Sequence, residues 1–320
     1  MPKFVFLPPL SDAIRRWAEQ LRSEGFDDVE IVQVADPDRA ADVIADADAA
    51  FGSVPIDLLS HAGSLRWLQA PAAAPPPGFF YPQLAEHPVV VTNFRGIYSD
   101  HVPIHAMALV LAMARNLPHY FTQQQQGSWD PIPDESSVIH LPEATALIVG
   151  VGAIGSALAD HCQAFGMRVL GTDARITEHA HAEIHSPDAL DRLLPQADVV
   201  ILTVPHTPQT EGLMDFRRFR LMKKTAVLVN IGRGPTLRLD DLVHALNTGE
   251  IAGAGLDVFE TEPLPADHPL WRTPGAIVTP HVAATGPYLD DRRYRVLSEN
   301  LRRFLSGRPL INVVDKTRWF

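Results

Sequence analysis

A chain of 320 residues is too long for one minimal domain and long enough for two, each with its own core. With 46% hydrophobic and 20% charged residues it has the balance of a folded globular protein, which excludes disordered and fibrous classes. The net charge of -11, with no run of Lys or Arg, offers no electrostatic footprint for nucleic acid or an anionic membrane, so neither is expected as a partner.

The first nine residues, Met1-Pro2-Lys3-Phe4-Val5-Phe6-Leu7-Pro8-Pro9, hold too short an apolar stretch for a signal peptide and read as a first strand over residues 3–7. Further β-branched or aromatic runs predict strands over 29–34, 49–52, 65–68 and 89–92, with helical patterns such as 11–24 and 56–61 between them. That alternation predicts a parallel sheet covered on both faces. Residues 70–78 carry four prolines and cannot be regular structure. They predict a stiff loop after a strand, either one wall of a ligand crevice or a plain surface connection.

From Ser99 and Asp100 a long apolar helix is predicted, with a capping residue and Pro103 in its first turn. Its apolar residues cover nearly all faces, so core or a second subunit must bury it on several sides. His101, His105 and His119 lie on or beside it and read as structural. Gln123 to Trp129 reads as a loop bearing an anchoring aromatic. A second strand-helix alternation occupies 144–284, followed by one more helix over 288–305. The lone Cys162 allows no intrachain disulfide and reads as a small buried hydrophobe in a reducing, cytoplasmic setting. The uncharged run 144–159 is too short for a membrane span and is interrupted by glycines.

Within that run, Ala146-Leu147-Ile148-Val149 leads straight into Gly150-Val151-Gly152-Ala153-Ile154-Gly155 and then a helical pattern. This is a dinucleotide fingerprint in its required setting. The first glycine serves the tight turn, the second the approach of a pyrophosphate, and the third close helix-strand packing. The helix start then offers unpaired amides, Ala153 and Ile154 among them, to the phosphates. A following strand ends at Asp173, 18 residues beyond Gly155, the distance at which an acid accepts from a ribose hydroxyl. A carboxylate there repels a 2'-phosphate, so NAD(H) is favoured, while Arg175 nearby keeps NADP(H) possible.

Three more segments place polar residues at strand carboxyl ends: Arg233 between Gly232 and Gly234, Glu262 after Leu256-Asp257-Val258-Phe259, and His281 after Ile277-Val278-Thr279-Pro280. Reduction of a 2-oxo acid needs a donor fork for the carboxylate and an acid for the carbonyl oxygen. Arg233 fits the first need and His281 the second, with Glu262 as the group that orients the imidazole and favours its charged form. By spacing alone, surface residues are an equally good reading. His179, His181 and His185 fall in a loop-like stretch without a Cys pair, read as solvent-exposed, and predict no metal site.

Taken together, residues from about 99 to 284 resemble the D-isomer-specific 2-hydroxyacid dehydrogenase family. The resemblance rests on Gly150 to Asp173 with Phe165-Gly166-Met167, on Ala197-Asp198-Val199-Val200 leading to Pro205-His206-Thr207-Pro208, on Met222-Lys223-Lys224 through Asn230 to Arg233-Gly234, and on Glu262-Pro263-Leu264 and Thr279-Pro280-His281. It implies an α/β fold of two Rossmann-like or flavodoxin-like domains with parallel sheets and a cleft between them. A discontinuous substrate-binding domain is implied at 1–98 plus 287–320, and an NAD-binding domain at 99–286. By the same resemblance Arg233 binds a substrate carboxylate, His281 and Glu262 form the acid-base pair, Val204 and Pro205 join the cofactor contacts, and Asp257 holds the nicotinamide carboxamide. A homodimer through the cofactor domains is implied as well.

Two departures border the implied substrate pocket. Ala72-Ala73-Ala74-Pro75-Pro76 stands where relatives commonly carry a glycine-containing turn, and Ile104 where many carry an acid. Glu262 is an acid where formate dehydrogenases have an amide, which leaves a glyoxylate/hydroxypyruvate reductase-like enzyme or a broader 2-ketoacid reductase. A different class stays open at this point: NAD(H)-binding corepressors on the same scaffold, which recruit peptides and turn over little.

Overall fold

Strand and helix alternate along the chain as their hydrophobic patterns require in the computed structural model, which describes residues 1–73 and 78–317. The chain divides into two units, Met1–Ile97 with Pro287–Phe320, and Tyr98–Gly286. Each is an α/β unit around a parallel sheet.

The first unit contains β1 (Lys3–Phe6), β2 (Glu30–Gln33), β3 (Ala49–Phe51), β4 (Trp67–Gln69) and β5 (Val90–Thr92). Their order is β2-β1-β3-β4-β5, all parallel, the flavodoxin-like arrangement. Period-two alternation gives each face its own core. Val5, Leu7, Ala50 and Leu68 pack on one side, while on the other Phe4 lies against Phe6 and Trp67 with ring centroids 5.1 and 5.4 Å apart. The proline-rich loop expected over 70–78 falls partly on residues 74–77, outside the described residues. Its first part is held where the Asn93 side-chain amide donates to the Ala73 carbonyl at 2.8 Å.

In the second unit the strands are β6 (Thr145–Val149), β7 (Arg168–Thr172), β8 (Glu183–His185), β9 (Val199–Leu202), β10 (Val227–Asn230), β11 (Gly253–Leu256) and β12 (Ala276–Val278). Their order, β12-β11-β10-β9-β6-β7-β8, reverses between β6 and β9, the switch point where a doubly wound sheet opens a ligand crevice. Leu147 and Val149 of β6 enter one core while Ala146 and Ile148 enter the other, as a strand covered on both faces demands. Gly253 and Gly255 of β11 admit the apolar helix His101–Ala114 onto the sheet: a Cβ on either would lie 3.0 Å from Met113 Sδ or Leu109 Cβ. Ile104 of that helix stays 63% exposed, so the unit's own core does not cover every apolar face.

Two local expectations are corrected. Gln123 to Gln126 are helical, the end of a helix Leu117–Gln126 that opens with Pro118 in its first turn and closes on Gly127 at φ 65°. Gln has good helix propensity, and the Pro and Gly signals at the two ends outweigh the polarity that suggested a loop. Trp129 beyond it is 97% exposed, so it is not an anchor among the described residues. His185, expected in a loop, belongs to β8, whose pairing with β7 sets Thr172 opposite His185. No helix among the described residues is long and apolar enough to cross a membrane.

Candidate active site

At the end of β6 the three glycines have three different reasons to be glycine. Gly150 sits at φ 99°, where a side chain is strained, and a Cβ there would lie 2.8 Å from Val204 Cγ1. At Gly155, in the first turn of the helix Ala153–Ala164, a Cβ would lie 2.0 Å from the Gly150 carbonyl oxygen. Gly152, the N-cap, has an ordinary φ of -70° and a Cβ would meet nothing within 4 Å. No packing or strain inside the chain excludes a side chain at Gly152. A polyanion brought against the backbone would exclude one, and the cap's lack of a side-chain acceptor leaves the first-turn amides open for it. The Thr203 hydroxyl donates to the Gly150 carbonyl, which fastens the loop to the end of β9 and sets Val204 and Pro205 beside it. The residues present therefore fit a dinucleotide.

Asp173 follows β7 and points at the same loop. Its Oδ2 accepts from the Val151 amide at 2.9 Å, and its Oδ1 accepts from the amides of Arg175 and Ile176 at 2.8 and 2.9 Å. Of the roughly four acceptor sites of a carboxylate, these bonds leave about one open, on the oxygen nearer the glycine loop. The sequence pattern alone suggested a carboxylate free to accept from ribose.

Arg233 lies three residues past β10 in a turn shaped by the fully buried Asn230. The Asn230 side chain accepts from the Gly232 amide at 3.1 Å and donates to the Arg233 carbonyl at 3.2 Å. Gly234 is required because a Cβ there would lie 1.8 Å from the Phe259 carbonyl carbon. Burial pushes the Arg233 guanidinium below its ordinary value, and the nearby Glu262 and Tyr98 oppose that push. A guanidinium remains a cation in a protein, and one of its amino groups donates to the Gly232 carbonyl at 2.6 Å. Tyr98, just before the helix cap, was not singled out by sequence reasoning, because its only signal is a polar aromatic in a loop.

Beside Arg233, Glu262 accepts from the Phe259 amide through Oε1 at 2.9 Å, and its Oε2 meets His281 Nδ1 at 2.7 Å. A carboxylate only accepts, so Nδ1 carries the proton and Nε2 is left as the atom that exchanges one. The imidazole is half-exposed and the Glu262 side chain about a third exposed, so substrate and solvent can reach them. His281 is also one of the few non-glycine residues at positive φ, 53°. Its amide donates to the carbonyls of Asp257 at 2.9 Å and Thr279 at 3.0 Å, which hold the strained turn.

Asp257, 1% exposed, carries much of that turn. Oδ1 accepts from the Thr279 hydroxyl at 2.6 Å and the Val282 amide at 2.9 Å, while Oδ2 accepts from the Ala283 amide at 2.8 Å. The expected contact with a nicotinamide carboxamide thus has about one remaining acceptor site, on Oδ2. Behind Thr279, its hydroxyl meets His105 Nε2 at 3.0 Å. Away from this site, His181 Nδ1 pairs with Asp160 at 2.7 Å, and no group of three potential ligands among the described residues could hold a metal ion.

Comparison with known proteins identifies the family. Residues 107–283 match the family model for the NAD binding domain of D-isomer specific 2-hydroxyacid dehydrogenases. The chain is 35% identical over 235 residues to a hydroxypyruvate reductase of Blautia hydrogenotrophica, covering 72% of this chain and 73% of that protein. A D-isomer specific 2-hydroxyacid dehydrogenase family protein from Aeromonas salmonicida is structurally similar with a TM-score of 0.81 at 32% identity, covering 98% of this chain and 99% of that one. The NADPH-dependent glyoxylate/hydroxypyruvate reductase of Sinorhizobium meliloti, solved with NADP and sulfate, gives a TM-score of 0.81 at 25% identity over the full length of both chains.

Proposed function

The chain belongs to the D-isomer specific 2-hydroxyacid dehydrogenase family, and from that premise we propose that it reduces a small 2-oxo acid of the glyoxylate or hydroxypyruvate type to the D-2-hydroxy acid, and catalyses the reverse oxidation. The observation that carries the reading is the 2.7 Å pair of His281 Nδ1 with Glu262, next to the guanidinium of Arg233 and on the sheet that bears the glycine loop.

In this reading Arg233 receives the substrate carboxylate with the paired donors of its guanidinium, an arrangement that fixes orientation as well as charge. His281 Nε2 gives its proton to the carbonyl oxygen during reduction and takes the hydroxyl proton back during oxidation. Glu262 keeps Nδ1 protonated and sets the plane of the ring. The nicotinamide coenzyme, when bound, supplies or accepts the hydride. Gly150, Gly152, Ala153, Ile154, Gly155, Val204 and Pro205 form its phosphate-side cradle, with Asp173 at the ribose and Asp257 at the carboxamide. NAD(H) is the preferred form, because Asp173 puts a carboxylate where a 2'-phosphate would stand; the Sinorhizobium relative uses NADPH, so this preference is a property to be measured on this chain.

We further assign substrate binding to the unit Met1–Ile97 with Pro287–Phe320 and coenzyme binding to Tyr98–Gly286. Pairing of two copies through the coenzyme unit, in a cytoplasmic setting, completes the reading. The exposed Ile104 and the half-exposed Phe121 support that pairing. A spectrophotometric screen of glyoxylate, hydroxypyruvate, pyruvate and bulkier 2-oxo acids against NADH and NADPH tests the reading. Rapid oxidation of NADH with glyoxylate or hydroxypyruvate is the expected result. Saturable NADH binding without turnover on any of them would overturn it.

A further inference from the structure

His105 lies on the helix His101–Ala114, far along the chain from His281, and by sequence alone it reads as structural. Its surroundings are more specific than that. Its Nε2 is 3.0 Å from Thr279 Oγ1 and 3.6 Å from Asp257 Oδ1, and its side chain is about one quarter exposed. The polarity of this chain of contacts follows from donor and acceptor inventories. A hydroxyl has one proton, and the shortest contact of Thr279 Oγ1 is the 2.6 Å one to Asp257, whose carboxylate only accepts. The hydroxyl therefore donates to Asp257, and its lone pair accepts from His105, so His105 presents Nε2 with a proton on it. The order is His105 Nε2-H to Thr279 Oγ1-H to Asp257 Oδ1.

Asp257 in turn holds the turn of the acid-base histidine at four points: Thr279 before it, the amide of His281 itself on the backbone carbonyl, and the amides of Val282 and Ala283 after it. The Thr279 hydroxyl has an alternative acceptor, the Leu256 carbonyl at 3.4 Å. With the His105 donor in place, the lone pairs of Thr279 are directed so that its O-H stays aimed at Asp257. Without that donor the hydroxyl is free to swing towards Leu256, which removes one of the bonds to Oδ1 and loosens a turn that keeps His281 at a positive φ.

We propose that His105 is a positioning residue for the reaction, acting through Thr279 and Asp257 to hold the turn that presents His281. The proposal rests on the reading of His281 as the acid-base group. What it adds is a donor requirement at a partly buried helix position whose contacts in the chain are Thr279 and Asp257 rather than His281 itself. A packing role alone would be filled by any side chain of similar volume. A positioning role needs an N-H at the place of Nε2.

The test uses the 320-residue chain with three variants. His105→Leu keeps volume and removes the donor, His105→Gln restores an N-H at similar reach, and Thr279→Val removes the middle hydroxyl. With hydroxypyruvate and NADH, His105→Leu should lower kcat by about tenfold, equivalent to about 1.4 kcal/mol, while the KM for NADH changes less than about twofold. His105→Gln should recover most of the loss at a melting temperature matching that of His105→Leu. Combining His105→Leu with Thr279→Val should cost no more than Thr279→Val alone, because both break one line of bonds. Wild-type kcat in His105→Leu, equal losses in the Leu and Gln variants, or multiplying losses in the double variant would each overturn the proposal.

Failure of the acid-base reading is separable from failure of this one. Undiminished turnover in His281→Gln would remove the former. The positional claim is read independently from the His281 ring carbon-proton NMR signal, which should move in His105→Leu and stay in place in His105→Gln; an unmoved signal in both overturns it.

Discussion

Alanine at Gly152 isolates the ligand's share of the glycine fingerprint. Nothing lies within 4 Å of a Cβ at this position, and its φ of -70° and ψ of -162° suit any residue. Replacing a glycine N-cap by alanine costs a few tenths to about 1 kcal/mol, which for a protein of this size lowers Tm by about 1–4 °C. The same methyl would stand where a pyrophosphate must approach the first-turn amides. Losing one charge-assisted hydrogen bond there costs about 1.5–3 kcal/mol, which corresponds to roughly 10- to 150-fold in Kd. Titration of NADH by fluorescence, beside a thermal melt, separates the two effects. The expected outcome is a folded variant with a near-native Tm and NADH affinity reduced by at least about tenfold. A folded variant that binds NADH as the wild type does would refute the reasoning, since Gly152 would then be glycine for no reason found inside or outside the chain.

Other substitutions probe separate parts of the account. Gly155→Ala places its methyl 2.0 Å from the Gly150 carbonyl oxygen, so it should act on the fold itself. Overpacking of about 1–3 kcal/mol should lower Tm by about 2–12 °C, and an unchanged melt would contradict the close approach. Arg233→Lys keeps the charge but loses the paired donors, so the KM for the 2-oxo acid should rise by about tenfold or more while NADH affinity holds; a loss confined to NADH would misplace the residue. Cys162 is fully buried and its thiol is pushed up to about 12 by desolvation. It should resist aromatic disulfide reagents at pH 8 in the native protein and react on unfolding, and rapid labelling of the native state would contradict its burial.

The parts legible in the sequence are those whose constraints are local. Buried strands such as Ala146 to Val149 announce themselves by composition, and the glycine spacing after them encodes a turn, a close approach and a helix start within six residues. Arg233, Glu262 and His281 stand at strand ends, where spacing alone reads equally well as surface chemistry, and it is their order within the family resemblance that singles them out. What escaped is set by contacts between distant segments. That Asp257 spends most of its acceptor capacity on residues 279–283 depends on β11 and β12 being neighbours, and that His105 reaches Thr279 depends on a helix laid over Gly253 and Gly255. Asp173 was found by its distance from Gly155, but its three backbone bonds come from loop geometry that spacing does not carry. The helix through Gln123 to Gln126 was obscured because its polar residues look like a loop until Pro118 and Gly127 are weighed as its two ends.

Removal of the imidazole at position 281 tests the central claim most directly. Steady-state oxidation of NADH by hydroxypyruvate, measured for the wild type and for His281→Ala at matched folding and matched NADH affinity, should show kcat reduced by about 10²- to 10⁴-fold, the usual contribution of a positioned general acid. Turnover in His281→Ala within a few fold of the wild type would contradict the assignment of the acid-base role to the His281–Glu262 pair.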